Sequence, residues 1–240
     1  MAIGARWLAA PYRPYLDQLR TFYREAKVAD FYKAQAPIYE AAVNRLRKVV
    51  LAEIDETWFR QYFGSGPSTR FKVVPSLLNG AAQYGATYRA QDVDEAFAVM
   101  GVFKIDGEGL PVFDRNDADN VVHEYAHTLT NQHVDAALPK LEGSGPLLFE
   151  RVRNEMRAQS YGTWQTMVYE QVVRAVVVRS IAARRGETEA LREIEAQERL
   201  GFTLTKPIAD ALADYEHTRT AHPTFAGVMP KIIAIFNTVR

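Results

Sequence analysis

Two histidines and a carboxylate stand in the order H-E-x-x-H at His123-Glu124-Tyr125-Ala126-His127. These are the residues in the chain whose types and spacing suit metal-assisted hydrolysis. On a helix, positions i and i+4 share a face one turn apart, so His123 and His127 can both offer a ring nitrogen to one cation. Glu124 then projects beside them toward a water that the cation activates. A catalytic zinc takes three protein ligands and keeps one position open, so the segment supplies two-thirds of a ligand set. The chain contains no cysteine, which leaves His, Asp and Glu as the strong donors for the third place.

The nearest candidate is His133. The run from His123 to His133 has the H-E-x-x-H-x-x-G-x-x-H spacing of metzincins except that Thr130 replaces the glycine. Glycine at that point lets the chain turn sharply and bring the last histidine back, and a β-branched threonine is disfavoured at positive φ. The preferred candidate is Glu170, a carboxylate in the strongly apolar stretch from Trp164 to Val177. A charge in such a setting costs several kcal/mol unless it is paired or binds a metal. Arg174, one turn further on, offers two alternatives: a purely structural ion pair with Glu170, or a second-layer partner that orients Glu170 as a ligand. Glu142 lies in a loop and Glu150 and Glu155 in charge-rich surroundings, so these three are weaker candidates.

The elements that must hold these groups can be read from periodicity. Apolar positions recur at helical spacing over residues 14–28 and 36–54, and a short aromatic helix spans 56–63 before Gly64-Ser65-Gly66-Pro67 stops it. The aromatic run at Trp58, Phe59, Tyr62 and Phe63 reads as core. Residues 71–78, 84–88 and 96–103 then read as strands, with 110–113 pairing back after a turn at 106–109. Pro75 pushes the first of these to a sheet edge. Asp117 or Asp119 is the expected N-cap of the H-E-x-x-H helix, which should end near Asn131. Beyond it come a helical region over 147–184 broken near Gly162, a charged helix over 187–200, and closing helices over 207–220 and 223–240. The expected class is α+β, predominantly helical, with a small antiparallel sheet beside the active helix. Residues 1–240 form one domain: N-terminal helices over 1–64, sheet and active helix over 65–135, and a helical lobe over 136–240 that carries the third ligand.

Hydrophobic residues make up 48% of the chain and charged residues 24%, ordinary values for a globular protein. Lys+Arg and Asp+Glu both count 29, so the net charge of +0 favours neither nucleic acid nor an anionic membrane as partner. The longest apolar stretch, 168–183, contains Glu170, Arg174 and Arg179, so no membrane span is expected. The apolar run at 7–11 is too short for a signal-peptide core. The chain is therefore read either as cytoplasmic or as extracytoplasmic with a leader removed, the second preferred.

Several of these segments resemble a family of uncharacterised bacterial domains with H-E-x-x-H, domains of unknown function regarded as zincin-like metallopeptidases with gluzincin-type ligands. The resemblance rests on Trp58 to Gly64, Pro75 to Gly85, His123 to His127 with Asn131, Tyr169 to Ala175, and Tyr215 and Arg219. It implies a zincin-like fold, with His123, His127 and Glu170 as ligands of one Zn2+ ion, and it places His133 at a variable position. Gln83 stands where the family pattern has Asn, and His222 where it has Tyr.

The resulting expectation is a zinc metallopeptidase acting on a peptide or protein, with Glu124 as general base. Residues 75–78 with Asn79 are the candidate edge for strand addition of the substrate. Tyr84, Tyr161, Tyr215, His217 and Arg219 are candidate oxyanion donors. The alternatives are an inactive zincin-fold binding module, a metzincin-like peptidase using His133, and a helical protein in which the histidine spacing is coincidental.

Overall fold

The computed structural model describes residues 12–64, 69–90 and 93–239. The N-terminal run at 1–11 and the turn residues Ser65, Gly66 and Pro67 lie outside the described residues. Four helices come first: α1 (Tyr12–Glu25), α2 (Val28–Ala34), α3 (Ala36–Glu53) and α4 (Glu56–Phe63). Asp55 caps α4 by accepting from the Thr57 N–H at 2.8 Å, and Gly64 ends it at φ 63, a left-handed geometry that glycine adopts without Cβ strain. Phe59, Tyr62 and Phe63 of α4 are buried and meet Phe71, Tyr125 and Phe225 in one aromatic core.

Three strands follow, β1 (Thr69–Pro75), β2 (Tyr84–Ala90) and β3 (Val93–Met100), in the spatial order β1-β3-β2. The sheet is mixed rather than antiparallel as expected, because β3 runs parallel to β1 and antiparallel to β2. The physical reason is burial: β3 carries Ala96, Ala98 and Met100 at 0–2% exposure, so it takes the centre. The described positions Tyr84 to Arg89 of β2 are exposed, and that strand is left at an edge. Pro75 ends the other edge strand, where its missing N–H breaks no ladder. The expected pairing of 110–113 takes the form of a separate hairpin, β4 (Lys104–Ile105) with β5 (Pro111–Val112). The Asp106 carboxylate holds its turn by accepting from the Glu108 and Leu110 N–H groups and from Arg45 of α3.

The long helix α5 (Arg115–Ala137) differs from expectation at both ends. Its N-cap is Asp114, which accepts from the Asn116 N–H while Asp117 reaches back to the Asp114 N–H, completing a capping box. Asp119 lies inside the helix and serves Arg184 and Arg185 instead. The helix runs through Asn131 because no glycine or proline interrupts it before Pro139.

Then come α6 (Gly145–Arg151), α7 (Arg153–Ala158), α8 (Trp164–Arg185), α9 (Glu187–Arg199), α10 (Thr205–His217) and, after a 3-10 turn at Phe225–Gly227, α11 (Met229–Phe236). The paired contacts Asp119 with Arg184 and Arg185, and His127 with Glu170, show that α8 packs antiparallel to α5. Val172, Val173, Ala175 and Val176 of α8 are fully buried in this layer. No described helix is long and apolar enough to cross a membrane.

Candidate metal centre

The helical spacing of His123 and His127 puts both rings on one face of α5, with the two Nε2 atoms 3.1 Å apart. The antiparallel packing of α8 brings Glu170 over that face. Its Oε2 stands 3.4 Å from His123 Nε2 and its Oε1 3.2 Å from His127 Nε2. Both imidazole side chains are 17% exposed and the carboxylate side chain 8%. Among the described residues this is the one group of His, Asp and Glu side chains close enough to hold a metal ion.

The chemistry of the donor set fits a zinc ion. The Asn131 carboxamide oxygen lies 3.2 Å from His127 Nδ1, which places the ring proton there and leaves Nε2 as a lone pair. With the proton on Nδ1, that lone pair faces a carboxylate and a second imidazole nitrogen, a repulsion that a metal ion between them would relieve; without an ion, a proton on Nε2 shared with Glu170 relieves it instead. Three donors bound to zinc at tetrahedral angles stand about 3.3 Å apart, and the separations here are 3.1, 3.2 and 3.4 Å. Glu170 Oε2 is buried and has no hydrogen bond among the described residues, only the Arg174 ion pair at 3.3 Å, so it retains a lone pair for a metal ion.

Burial pushes the His123 pKa down to about 3, so its ring is neutral at physiological pH. Burial alone would also lower His127, but the hydrogen bond and charge of Glu170 outweigh it and raise that ring. Burial opposes ionisation of Glu170, yet the His127 contact and the nearby positive groups hold its carboxyl down at about 2. Burial lifts the Glu124 carboxyl to about 7, a rise that the His127 charge and then the Gly85 N–H oppose and the Glu170 charge adds to. A Cβ at Gly85 would collide with the Glu124 carbonyl oxygen, so the glycine is what lets β2 lie directly against the helix.

A further layer holds Glu170. Arg174 Nη2 lies 3.3 Å from Oε2, while its Nη1 donates to Gln197 Oε1 at 2.6 Å and its guanidinium sits 4.0 Å from the centre of the Phe202 ring. The Tyr161 hydroxyl accepts from Arg174 Nη2 at 3.1 Å, and burial followed by the charge of Glu170 raises its pKa.

Other candidates fall elsewhere. Six residues beyond His127, His133 is rotated about 240° around the continuous helix, and its ring packs 5.7 Å from Phe225. Thr130 is fully buried and helical, its hydroxyl donating to the Ala126 carbonyl. Glu142, Glu150 and Glu155 are exposed. The Asn79 amide is used locally, donating to the Ala82 carbonyl. The Tyr215 hydroxyl donates to the Tyr62 carbonyl, Arg219 lies over the rings of Tyr62 and Tyr215, and His217 bonds the Ala213 carbonyl of its own helix. Of the proposed oxyanion donors, Tyr161 alone contacts the cluster. Tyr84 precedes Gly85 on the exposed edge strand and is 54% exposed.

Sequence reasoning missed Gly85, Gln197 and Phe202, whose roles arise from contacts across the fold. Asn131 is a partner of His127 rather than a helix end, and its spacing of four from that histidine is the signal for it.

A family model described as a domain of unknown function (DUF4932) matches residues 9–235 of the chain. No curated protein and no solved structure matches it.

Proposed function

The chain belongs to the DUF4932 family of domains of unknown function, and from its buried histidine and glutamate cluster we propose that it is a zinc-dependent metallopeptidase. The observation that carries this reading is the convergence of His123 Nε2, His127 Nε2 and the Glu170 carboxylate at separations suited to one tetrahedral ion. What supports a zincin-like assignment of the fold is the placement of the H-E-x-x-H helix against a small sheet whose edge strand touches Glu124.

His123, His127 and Glu170 would hold the zinc, which supplies Lewis acidity that lowers the pKa of a water toward neutrality and polarises the scissile carbonyl. Glu124, beside the ligands on the same helical turn, is placed to accept a proton from the water and return it to the leaving amine. The Gly85 N–H fixes that carboxylate in place. Arg174 and Asn131 orient Glu170 and His127 from behind, a role that preserves ligand geometry. The free edge of β2 would offer backbone groups to an extended peptide lying over Glu124, and β1, which ends at Pro75, is the other edge open to strand addition. Tyr161 is the best-placed donor for the developing oxyanion.

The test is digestion of a peptide library by the zinc-loaded protein and by Glu124→Gln. The wild type should cleave, and Glu124→Gln should retain zinc while losing roughly 10²–10⁴-fold in rate. A wild type that binds no zinc, or a Glu124→Gln that cleaves at the wild-type rate, would defeat the proposal.

A further inference from the structure

On the α4 and α10 side of the molecule a cavity of about 460 Å³ is lined by Trp58, Gln61, Tyr62, Glu216 and Arg219. It contains none of the metal-centre residues. Two of its polar groups lack partners among the described residues: the Tyr62 hydroxyl, on a residue 1% exposed, and the buried Arg219 Nε. Arg219 has no ion pair among the described residues either. Its guanidinium is instead held over two aromatic faces, 4.7 Å from the Tyr215 ring centre and 5.3 Å from that of Tyr62.

Buried donors of this kind are rare without a ligand or water to receive them. The neighbouring acid does not serve: Glu216 accepts two bonds from Arg179, at 2.9 Å each, and is neutralised by it. The lining is thus left with one uncompensated positive charge in a planar fork, beside a hydroxyl that can donate. A guanidinium fork matches a planar carboxylate bidentately. A single fork balances one negative charge, so a monoanion suits it better than a dianion. The Trp58 indole, stacked 4.4 Å over the Tyr62 ring, supplies an apolar wall.

We propose that this cavity binds a carboxylate carried on an apolar group, either a small organic acid or the C-terminus of a peptide, gripped by Arg219 and Tyr62. The site is separate from the metal centre and its occupancy does not depend on zinc.

The test is calorimetric titration of the intact protein, with and without zinc, using benzoate, N-acetylphenylalanine, benzamide and inorganic phosphate. Either acid should bind saturably and benzamide should not; the tighter of the two acids identifies the source of the carboxylate. Arg219→Gln should weaken binding by about tenfold or more, and Tyr62→Phe by about three- to tenfold. Tyr62→Phe deletes an oxygen that no described protein group uses, so it keeps the fold and decides the matter if Arg219→Gln does not. The proposal is overturned if neither acid binds, if benzamide binds as tightly as the acids, if phosphate binds more tightly than both, or if binding is unchanged in Tyr62→Phe.

Discussion

Replacing Glu170 by Gln keeps the side-chain shape and removes the charge that faces both imidazoles. The carboxylate side chain is 8% exposed and lies 3.2–3.4 Å from His127 and His123, so no solvent group can take over its place. Structural zinc sites with four ligands are worth roughly 10–16 kcal/mol, or about 3–4 kcal/mol per ligand, which is a factor of about 10²–10³ in Kd. Competition with a chromophoric chelator measures that ratio directly. A second assay reads the same quantity through folding. Zinc at a thousandfold excess over the wild-type Kd should stabilise the wild type by about 4 kcal/mol. At the same zinc concentration Glu170→Gln should gain only about 0.4–1.4 kcal/mol. Comparing each variant with and without zinc removes the separate cost of leaving Arg174 with one partner fewer. An unchanged Kd together with an undiminished zinc-dependent gain would refute the assignment of Glu170 as a ligand.

The metal-free protein should show a pH signature from Glu124, whose folded pKa of about 7 lies above the ordinary 4.5. The folded state binds more protons than the unfolded state between those values. Its contribution is therefore present below 4.5 and lost as pH rises through 7, at up to about 1.4 kcal/mol per unit. Urea melts of wild type and Glu124→Gln across this range should diverge in that direction, and parallel curves would remove the buried-acid reading. Gly85→Ala drives a Cβ into the Glu124 carbonyl and should cost about 1–3 kcal/mol in denaturant midpoint measurements; a neutral result would mean that β2 does not need its close approach. Asp119→Asn leaves Arg184 and Arg185, both about 13–14% exposed, with Glu53 as the remaining charge partner of each. A loss of about 1.5–3 kcal/mol is expected by thermal unfolding, and a change within 0.5 kcal/mol, roughly the surface-substitution range, would speak against the pair as the tie between α5 and α8.

Much of this protein is local and therefore legible. The H-E-x-x-H spacing reads directly as two imidazoles on one helical face, and the α4 bounds of Glu56–Phe63 coincide with the aromatic run and its capping signals. The lone carboxylate in an apolar helix singles out Glu170 because a buried charge requires a partner. Local cues fail where two of them compete. Asp114, Asp117 and Asp119 are all plausible caps, and the choice fell to Asp114 through a reciprocal bond that only the folded turn makes. Asn131 suits a helix end, yet with no glycine or proline before Pro139 the helix continues, and the Asn131 amide meets His127 one turn back.

The periodicity of side chains along the chain by itself determined most of the helical segments, though not α2 (Val28–Ala34), and it marked the candidate cation ligands and the charge that was out of place. Tertiary structure alone decided that α8 runs antiparallel to α5 and so carries Glu170 to the histidines, that β3 enters between β1 and β2, and that Gly85 rests on Glu124. Those outcomes depend on burial shared between segments far apart in sequence, and i to i+4 spacing holds no information about which distant surfaces will exclude water from one another.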